Sequence, residues 1–156
     1  MSGRSIEDMM EQGRRMHMEH GTDVRCPRCN AGTGKFCRDD AGVRVLHSER
    51  VRVHELQPLA DALAIMVRGA TDARVEQTGG DVYCAVAMFG FYEVAGDEYG
   101  WSITDTRDGT SHSWGVWFDD EQARPLTVDP DTGALDAGEC EAAAHTFGAA
   151  LPVILA

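Results

Sequence analysis

The chain has 156 residues, enough for one ordinary domain or for a small module joined to a modest domain. Its content of 43% hydrophobic and 26% charged residues is typical of a folded globular protein and excludes a disordered one. No segment approaches the roughly 18 consecutive apolar residues of a membrane span, and no apolar signal-peptide stretch follows the first residues. We therefore expect a soluble, cytoplasmic protein without a membrane partner.

The charge is unevenly distributed along the sequence. Residues 1–56 carry ten Lys/Arg and nine Asp/Glu, whereas residues 57–156 carry four and seventeen, so the second part has a net charge of −13. The segment from Arg25 to Arg52 contains seven basic and three acidic residues. Because net charge bears on binding partners rather than on fold, a basic segment and an acidic domain should meet different partners.

The first predicted element is an amphipathic helix from Ser5 to about Glu19, within an N-terminal segment of residues 1–23. Ser5 and Asp8 form a capping pair, and Met9 and Met16 fall near one face. The simplest interpretation is a frayed terminal helix. Alternatively, the methionine-lined face docks on a partner or on a second copy of the chain, since methionine adapts to irregular surfaces.

Residues 24–52 contain four potential metal ligands, Cys26, Cys29, Cys37 and His47, in the spacing C-x2-C-x7-C-x9-H. In a reducing compartment, clustered cysteines are more often metal ligands than disulfides. Three thiolates and one imidazole suit a closed, tetrahedral structural zinc site. The segment is too short to bury a core, and zinc binding supplies about 10–16 kcal/mol toward folding. We predict one structural Zn²⁺ per chain.

Three alternatives for these residues stay open at this point, the first being that the cysteines are reduced and bind no metal. His54 rivals His47 as the fourth ligand, because it lies two helical turns further on. The Cys26-x-x-Cys29 pair also matches a redox motif, although the βαβ context of such motifs is absent from the surrounding sequence.

The same stretch resembles a small zinc-binding module found in many actinobacteriophage and actinobacterial proteins, often labelled a DNA-binding phage zinc finger. Its pattern, CPxCxAxxGxxC followed by HxxR, is matched by about 28 residues, including Cys26-Pro27, Ala31, Gly34, Cys37 and His47-x-x-Arg50. Thr33 departs from the proline that the family often has before this glycine. The resemblance implies a zinc-stabilised fold and a nucleic-acid-binding role.

Six basic residues of the module are candidates for phosphate contacts with DNA or RNA: Arg28, Lys35, Arg38, Arg44, Arg50 and Arg52. Asp39 and Asp40 weaken this field, and the acidic domain repels nucleic acid unless it faces away. The competing interpretation is a purely structural zinc module whose basic side chains are solvated.

From Ser48 a helix is predicted that reaches about Gly69 and links the module to the domain of residues 53–156. Pro58 either kinks this helix or begins a second one. Ala70–Gly80 is interpreted as a polar connection. Three strands are expected next, at Val82–Val94, at Trp101–Thr106 and at Ser111–Phe118, the last with His112, Trp114, Val116 and Phe118 on one face.

A small hairpin of Leu126–Val128 with Ala134–Leu135 and a final helix from about Ala137 to Leu151, capped by Asp136, complete the prediction. The fold class is therefore α+β: a small zinc finger joined by a helix to an α-β-β-β(-β)-α domain with an antiparallel sheet. We expect the three tryptophans to be core and sheet-face residues, and Cys84 and Cys140 to be buried small hydrophobes. An exposed tryptophan would instead mark an interface.

No catalytic constellation is visible, so we expect a non-enzymatic accessory or regulatory protein. Its finger would contact nucleic acid, and its acidic domain would contact a protein partner. The alternative is a phage effector, acting in the host cytoplasm, whose acidic domain binds and inhibits or redirects a host protein, by mimicking the charge of DNA. In that case zinc only braces the fold.

Overall fold

The computed structural model describes residues 21–118, 121 and 123–156. These residues form the α+β fold that the sequence predicts, with two long helices, one five-stranded antiparallel sheet and a small two-stranded sheet. The predicted N-terminal helix Ser5–Glu19 lies outside the described residues.

The chain divides into two compact units. The first comprises the described residues up to Glu55 together with Pro130–Gly133, and the second comprises Leu56–Asp129 and Ala134–Ala156. The boundary along the chain falls between Glu55 and Leu56, three residues beyond the predicted end of the zinc module.

The first unit contains a 3-10 turn at Gly21–Asp23, the short strands β1 (Cys37–Arg38) and β2 (Arg44–Val45), and the start of helix α1 (Ser48–Met66). Helix α1 is continuous through Pro58. The alternative of a second helix beginning at this proline is therefore wrong. Gly69 follows the helix with φ +88°, a conformation that glycine adopts without steric cost.

The sheet of the second unit is a meander, β3-β4-β5-β6-β7, in which each strand pairs with the next one along the chain. Its strands are β3 (Thr71–Gly79), β4 (Val82–Phe89), β5 (Tyr92–Gly96), β6 (Gly100–Asp105) and β7 (Ser111–Val116). Helix α2 (Ala137–Ile154) follows an isolated antiparallel bridge between Val128 and Leu135, which confirms that the predicted hairpin pairs here.

Two strand predictions are wrong. The expected polar connection at residues 70–80 is strand β3, which tolerates alternating charged side chains because it lies at the edge of the sheet. The expected single strand Val82–Val94 is the hairpin of β4 and β5, in which Phe89 pairs with Tyr92 across a two-residue turn. Gly90 opens this turn with φ +60°, as two-residue hairpin turns require at their first central position.

The core of the second unit includes the contact between helix α2 and one face of the sheet. Ala85, Val94 and Ile103 are fully or almost fully buried on this face. The ring of Trp101 lies 4.9 Å from that of Phe147 on α2, and Trp117 contacts the same phenylalanine edge-on at 5.8 Å. Aromatic pairs at these separations add to the stabilisation from burial alone.

Trp114 does not belong to this core. Its side chain is 80% exposed on one face of β7, so Trp114 is a sheet-face residue rather than a core residue. The prediction for the cysteines is right for Cys140, which is fully buried, whereas Cys84 is only half-buried.

Candidate metal centre

A tight turn brings Cys26 and Cys29 together. The Cys26 carbonyl accepts a hydrogen bond from the Asn30 amide at 2.9 Å, and the Cys26 amide donates to the Ala31 carbonyl at 3.0 Å. Asn30 takes φ +63°, a left-handed conformation that asparagine tolerates better than most residues. The Cys29 amide points at the Cys26 sulfur at 3.5 Å. The turn therefore supplies two thiols and directs an N–H toward one of them.

The other two candidate ligands come from the β1–β2 hairpin and the start of α1. Cys37 pairs with Val45 across the hairpin. The connecting turn is held by Asp39, whose Oδ1 accepts the amides of Ala41 and Val43 at 2.9 Å each. His47 immediately precedes α1. Its carbonyl accepts a hydrogen bond from the Arg50 amide, in the first turn of that helix, at 3.0 Å.

These elements bring Cys26, Cys29, Cys37 and His47 into one cluster. One ligand atom from each residue lies within 4.8 Å of every other, and the Cys26 sulfur is 3.5 Å from Nδ1 of His47. Cys26 and Cys37 are fully buried, His47 is half-buried and Cys29 is exposed. Since thiolates and imidazoles are strong donors for metal ions, this cluster could hold one.

Burial and hydrogen bonding act in opposite directions on the two buried thiols. Burial raises the pKa of Cys26, despite hydrogen bonds from the amides of Cys29 and Arg28. Burial acts most strongly and raises the pKa of Cys37, but the His47 amide, the Arg50 guanidinium and the side chains of Cys29 and Cys26 together outweigh it and lower this pKa to about 6. Cys37 is therefore predisposed to the thiolate form that metal coordination requires.

Arg50 is the residue whose predicted role the structure corrects. Its side chain is fully buried, so it cannot contact a phosphate group. The guanidinium points at the Cys37 sulfur from 3.5 Å. It also donates to four backbone carbonyls, those of Thr22 at 3.3 Å, Val24 at 2.8 Å, Gly32 at 3.1 Å and Lys35 at 2.6 Å. Arg50 thus holds the loops that carry the cysteines.

The sequence contains a signal for this role. Arg50 follows His47 by three residues at the start of a helix, so its side chain returns toward the cluster after about one helical turn. A planar guanidinium with five N–H donors is the side chain best suited to collect several carbonyls at once.

The other five basic candidates are available to different degrees. Arg28 is well exposed and lies 3.9 Å from Glu49, a separation at which a surface ion pair contributes little. Arg52 is half-buried and pairs with Glu55 at 3.0 Å. Lys35, Arg38 and Arg44 are exposed. Arg38 donates to the Gly42 carbonyl, and Arg44 lies over the Phe36 ring.

A depression of about 590 Å³ adjoins the cluster. Arg28 and Arg38 line it, but so do Asp39 and Asp40, together with the candidate ligands Cys29 and His47. The surface next to the metal ligands is therefore of mixed charge.

His54 is not part of the cluster. It is buried, and its Nε2 lies 2.8 Å from the Thr132 carbonyl, in a loop that belongs to the same unit. Among the described residues, His47 is the imidazole that joins the three cysteines.

Comparison with known protein families, with characterised proteins and with solved structures gives no significant match. Neither helix within the described residues is both long enough and apolar enough to cross a membrane.

Proposed function

We propose that the chain is a non-enzymatic, zinc-binding accessory or regulatory protein. One zinc ion would be held by Cys26, Cys29, Cys37 and His47 and would stabilise the first unit. The observation that carries the proposal is the convergence of these four ligand atoms within 4.8 Å. Ideal tetrahedral zinc places sulfur and nitrogen ligands about 3.5 Å apart, and the Cys26 sulfur is 3.5 Å from the His47 ring nitrogen.

Arg50 supports a zinc site on electrostatic grounds. A zinc ion with three thiolates and a neutral imidazole carries a net negative charge. Burying this charge beside Cys37 is costly unless a positive group accompanies it. Arg50 provides this group, with its guanidinium 3.5 Å from the Cys37 sulfur.

Zinc content tests the metal assignment. The purified chain is expected to contain one zinc ion, measured by elemental analysis against protein concentration. Cys37→Ser should lose most of it, because a hydroxyl is a far poorer zinc ligand than a thiolate. Cys84→Ser is the matched control, since Cys84 lies on β4 in the second unit. A folded chain that retains full zinc in Cys37→Ser would contradict the assignment.

We further propose that the first unit contacts DNA or RNA through its exposed basic side chains. Arg28, Lys35, Arg38 and Arg44 support this proposal because their charged groups are accessible to phosphates. Arg50 is excluded from this set, and Arg52 is a weaker candidate because of its ion pair with Glu55. The resemblance to a phage-type zinc finger points to the same role.

A salt titration tests this contact. Binding of a fluorescent duplex DNA to the zinc-loaded chain should weaken steeply as salt rises, because phosphate contacts release counterions. Arg38→Ala should lower the affinity by about threefold and reduce the salt dependence by about one counterion. Arg68→Ala, at an exposed position of the second unit, is the control. No binding at low salt would contradict the proposal.

The second unit is proposed to bind a protein partner through its acidic surface. Of the four basic residues within residues 57–156, three are engaged by acidic neighbours: Arg74 by Asp72 and Glu76, Arg107 by Asp105, and Arg124 by Glu139. Little positive charge therefore remains to offset the seventeen acidic residues. This observation also supports the alternative function, an effector that binds a host protein while zinc only braces the fold.

A further inference from the structure

Strand β7 has a free edge within the part of the chain that the structure describes. It is the last strand of the sheet and pairs only with β6. The pairing has one irregularity near Ser111, and from Ser113 to Val116 the register is continuous. Half of the backbone N–H and C=O groups along a regular edge strand point away from the sheet and are available to another strand.

The two edges of the sheet differ in how they are protected. Strand β3 carries Asp72, Arg74 and Glu76, and its pairing with β4 has two register shifts. Such charges and irregularities discourage the pairing of a further strand. In contrast, the nine residues from Thr110 to Phe118 include no Asp, Glu, Lys, Arg or Pro. Apart from the irregularity near Ser111, strand β7 therefore lacks these protective features within the part of the chain that the structure describes.

The surface beside this edge is suited to binding side chains. Trp114 is 80% exposed, and Val116 is 40% exposed on the same face of β7. Gly96, Gly100 and Gly115 help to line a nearby depression of about 330 Å³, together with Tyr99. Exposed aromatic side chains next to open space are typical of binding hot spots.

The charge of the residues near this edge indicates which kind of partner can bind there. Asp108 precedes the uncharged stretch, and the sequence Asp119-Asp120-Glu121 follows it. The unit that carries β7 is strongly acidic, and three of its four basic residues are held in ion pairs. A second copy of the chain would bring the same negative charge, whereas a basic segment would be attracted.

We infer that the β7 edge binds an extended, basic segment of a partner protein, which adds a sixth strand to the sheet. Backbone hydrogen bonds to Ser111–Val116 provide affinity, and alternate apolar side chains of the segment contact Trp114. Lysine or arginine side chains of the segment are attracted by the net negative charge of this unit. This inference rests on the proposed role of the second unit in binding a protein and specifies the surface and the kind of partner.

The test uses the full zinc-loaded chain and a synthetic octapeptide that alternates valine with lysine. Amide chemical shifts and hydrogen exchange are measured by NMR during titration. The amides of β7 that face away from β6 should exchange about tenfold more slowly in the complex. An octapeptide alternating valine with glutamate should not bind, and one alternating proline with lysine should not protect these amides, because proline cannot pair as a strand.

Two variants with the same change of charge are compared, one at the proposed binding edge and one, the control, on α1. Trp114→Lys should weaken binding of the valine–lysine peptide about tenfold, through loss of the aromatic contact and repulsion of lysine. Ile65→Lys, at a position 72% exposed on α1, should change it by less than about twofold.

Three results would overturn the inference. One is binding of the valine–lysine peptide without protection of the β7 amides, and another is equal binding of the valine–glutamate peptide. The third is a dimer that forms without peptide and that Trp114→Lys dissociates, because this result would assign the edge to a second copy of the chain. Peptide binding elsewhere on residues 57–156 would leave the broader role of the acidic unit intact. Failure to bind this unit anywhere would count against both proposals.

Discussion

At the scale of single residues, Arg50 connects parts of the first unit that are distant in the sequence. Its guanidinium bonds to carbonyls from Thr22 to Lys35 and to the sulfur of Cys37, although it belongs to helix α1. Its side chain is fully buried and supplies a hydrogen-bond donor to each of these groups. Arg50 and the proposed zinc ion would thus both hold the loops that carry the cysteines.

Arg50→Ala is expected to destabilise the zinc-loaded protein by about 3–5 kcal/mol, because it leaves four backbone carbonyls and the Cys37 thiolate without their cationic donor. Arg50→Lys should recover only part of this loss, since an ammonium cannot reproduce the planar fork of a guanidinium. Denaturant unfolding monitored by amide signals of the first unit measures both effects.

Arg44→Ala is the control, because Arg44 is exposed and its described contact is the face of the Phe36 ring. A loss below about 1 kcal/mol is expected there. Equal effects of the Arg50→Ala and Arg44→Ala changes would contradict the buried role assigned to Arg50.

The metal ligands could be predicted from the sequence, but the assignment of individual arginines could not. Cys26, Cys29 and Cys37 are informative because their type and spacing are rare outside metal sites. Arginine is common on surfaces, and its charge alone does not distinguish a phosphate contact from a buried donor. The three-residue spacing from His47 places Arg50 near the cluster. It does not show that the surrounding loops close over the side chain and bury it.

At the scale of secondary structure, the elements with strong end signals were predicted well. Helix α2 begins where expected, with Asp136 accepting the Glu139 amide at 2.9 Å as its N-cap. Strands β6 and β7 were expected because Arg107-Asp108-Gly109 marks the turn between them.

The elements without such signals were missed for physical reasons. Strand β3 has few apolar residues, because it lies at the edge of the sheet and none of its side chains is fully buried. The turn between β4 and β5 consists of Gly90 and Phe91, and this short interruption lies within an apolar run that resembles one buried strand. Periodicity cannot locate a turn of two residues when both flanking strands are buried.

Glu139 ties the start of α2 to the segment before it. Its Oε1 accepts the hydroxyl of Thr127 at 2.6 Å and the amide of Thr127 at 2.8 Å, and its Oε2 accepts Arg124 at 2.9 Å. The Thr127 hydroxyl, followed by the Thr127 amide and Arg124, lowers the pKa of Glu139 against the opposing effect of burial. The ionised form is therefore favoured in the folded protein.

This lowered pKa predicts the direction of a pH effect. The contribution of Glu139 is fully present above the ordinary glutamate pKa of about 4.3 and is lost as pH falls through the lower folded-state value. Glu139→Gln should reduce the free energy of unfolding by about 1 kcal/mol at neutral pH, with the difference from the natural chain shrinking toward pH 3. Chemical denaturation across this range measures the difference.

Glu141→Gln provides the comparison, because Glu141 is exposed on the same helix. It should change stability by less than about 0.5 kcal/mol at every pH. A constant difference for Glu139→Gln from pH 3 to 7 would contradict the role of its charge.

At the scale of the whole molecule, the two compact units rely on different sources of stability. The second unit has a five-stranded sheet, helix α2 and an apolar core that includes Val86, Ile103 and Leu151. The first unit has two strands of two residues each and a core dominated by Cys26, Cys37 and Arg50. Hydrophobic burial can maintain the second unit, whereas the first would depend on the proposed metal ion.

The most direct test of this account is amide hydrogen exchange, with and without a zinc chelator, resolved along the chain. Removal of zinc should accelerate exchange in residues 21–55 to nearly unfolded rates, because metal binding and folding are coupled in such small modules. Residues 82–105, in the central strands, should keep their protection. Unchanged protection of residues 21–55 in verified metal-free protein would contradict the claim that a metal ion holds the first unit together.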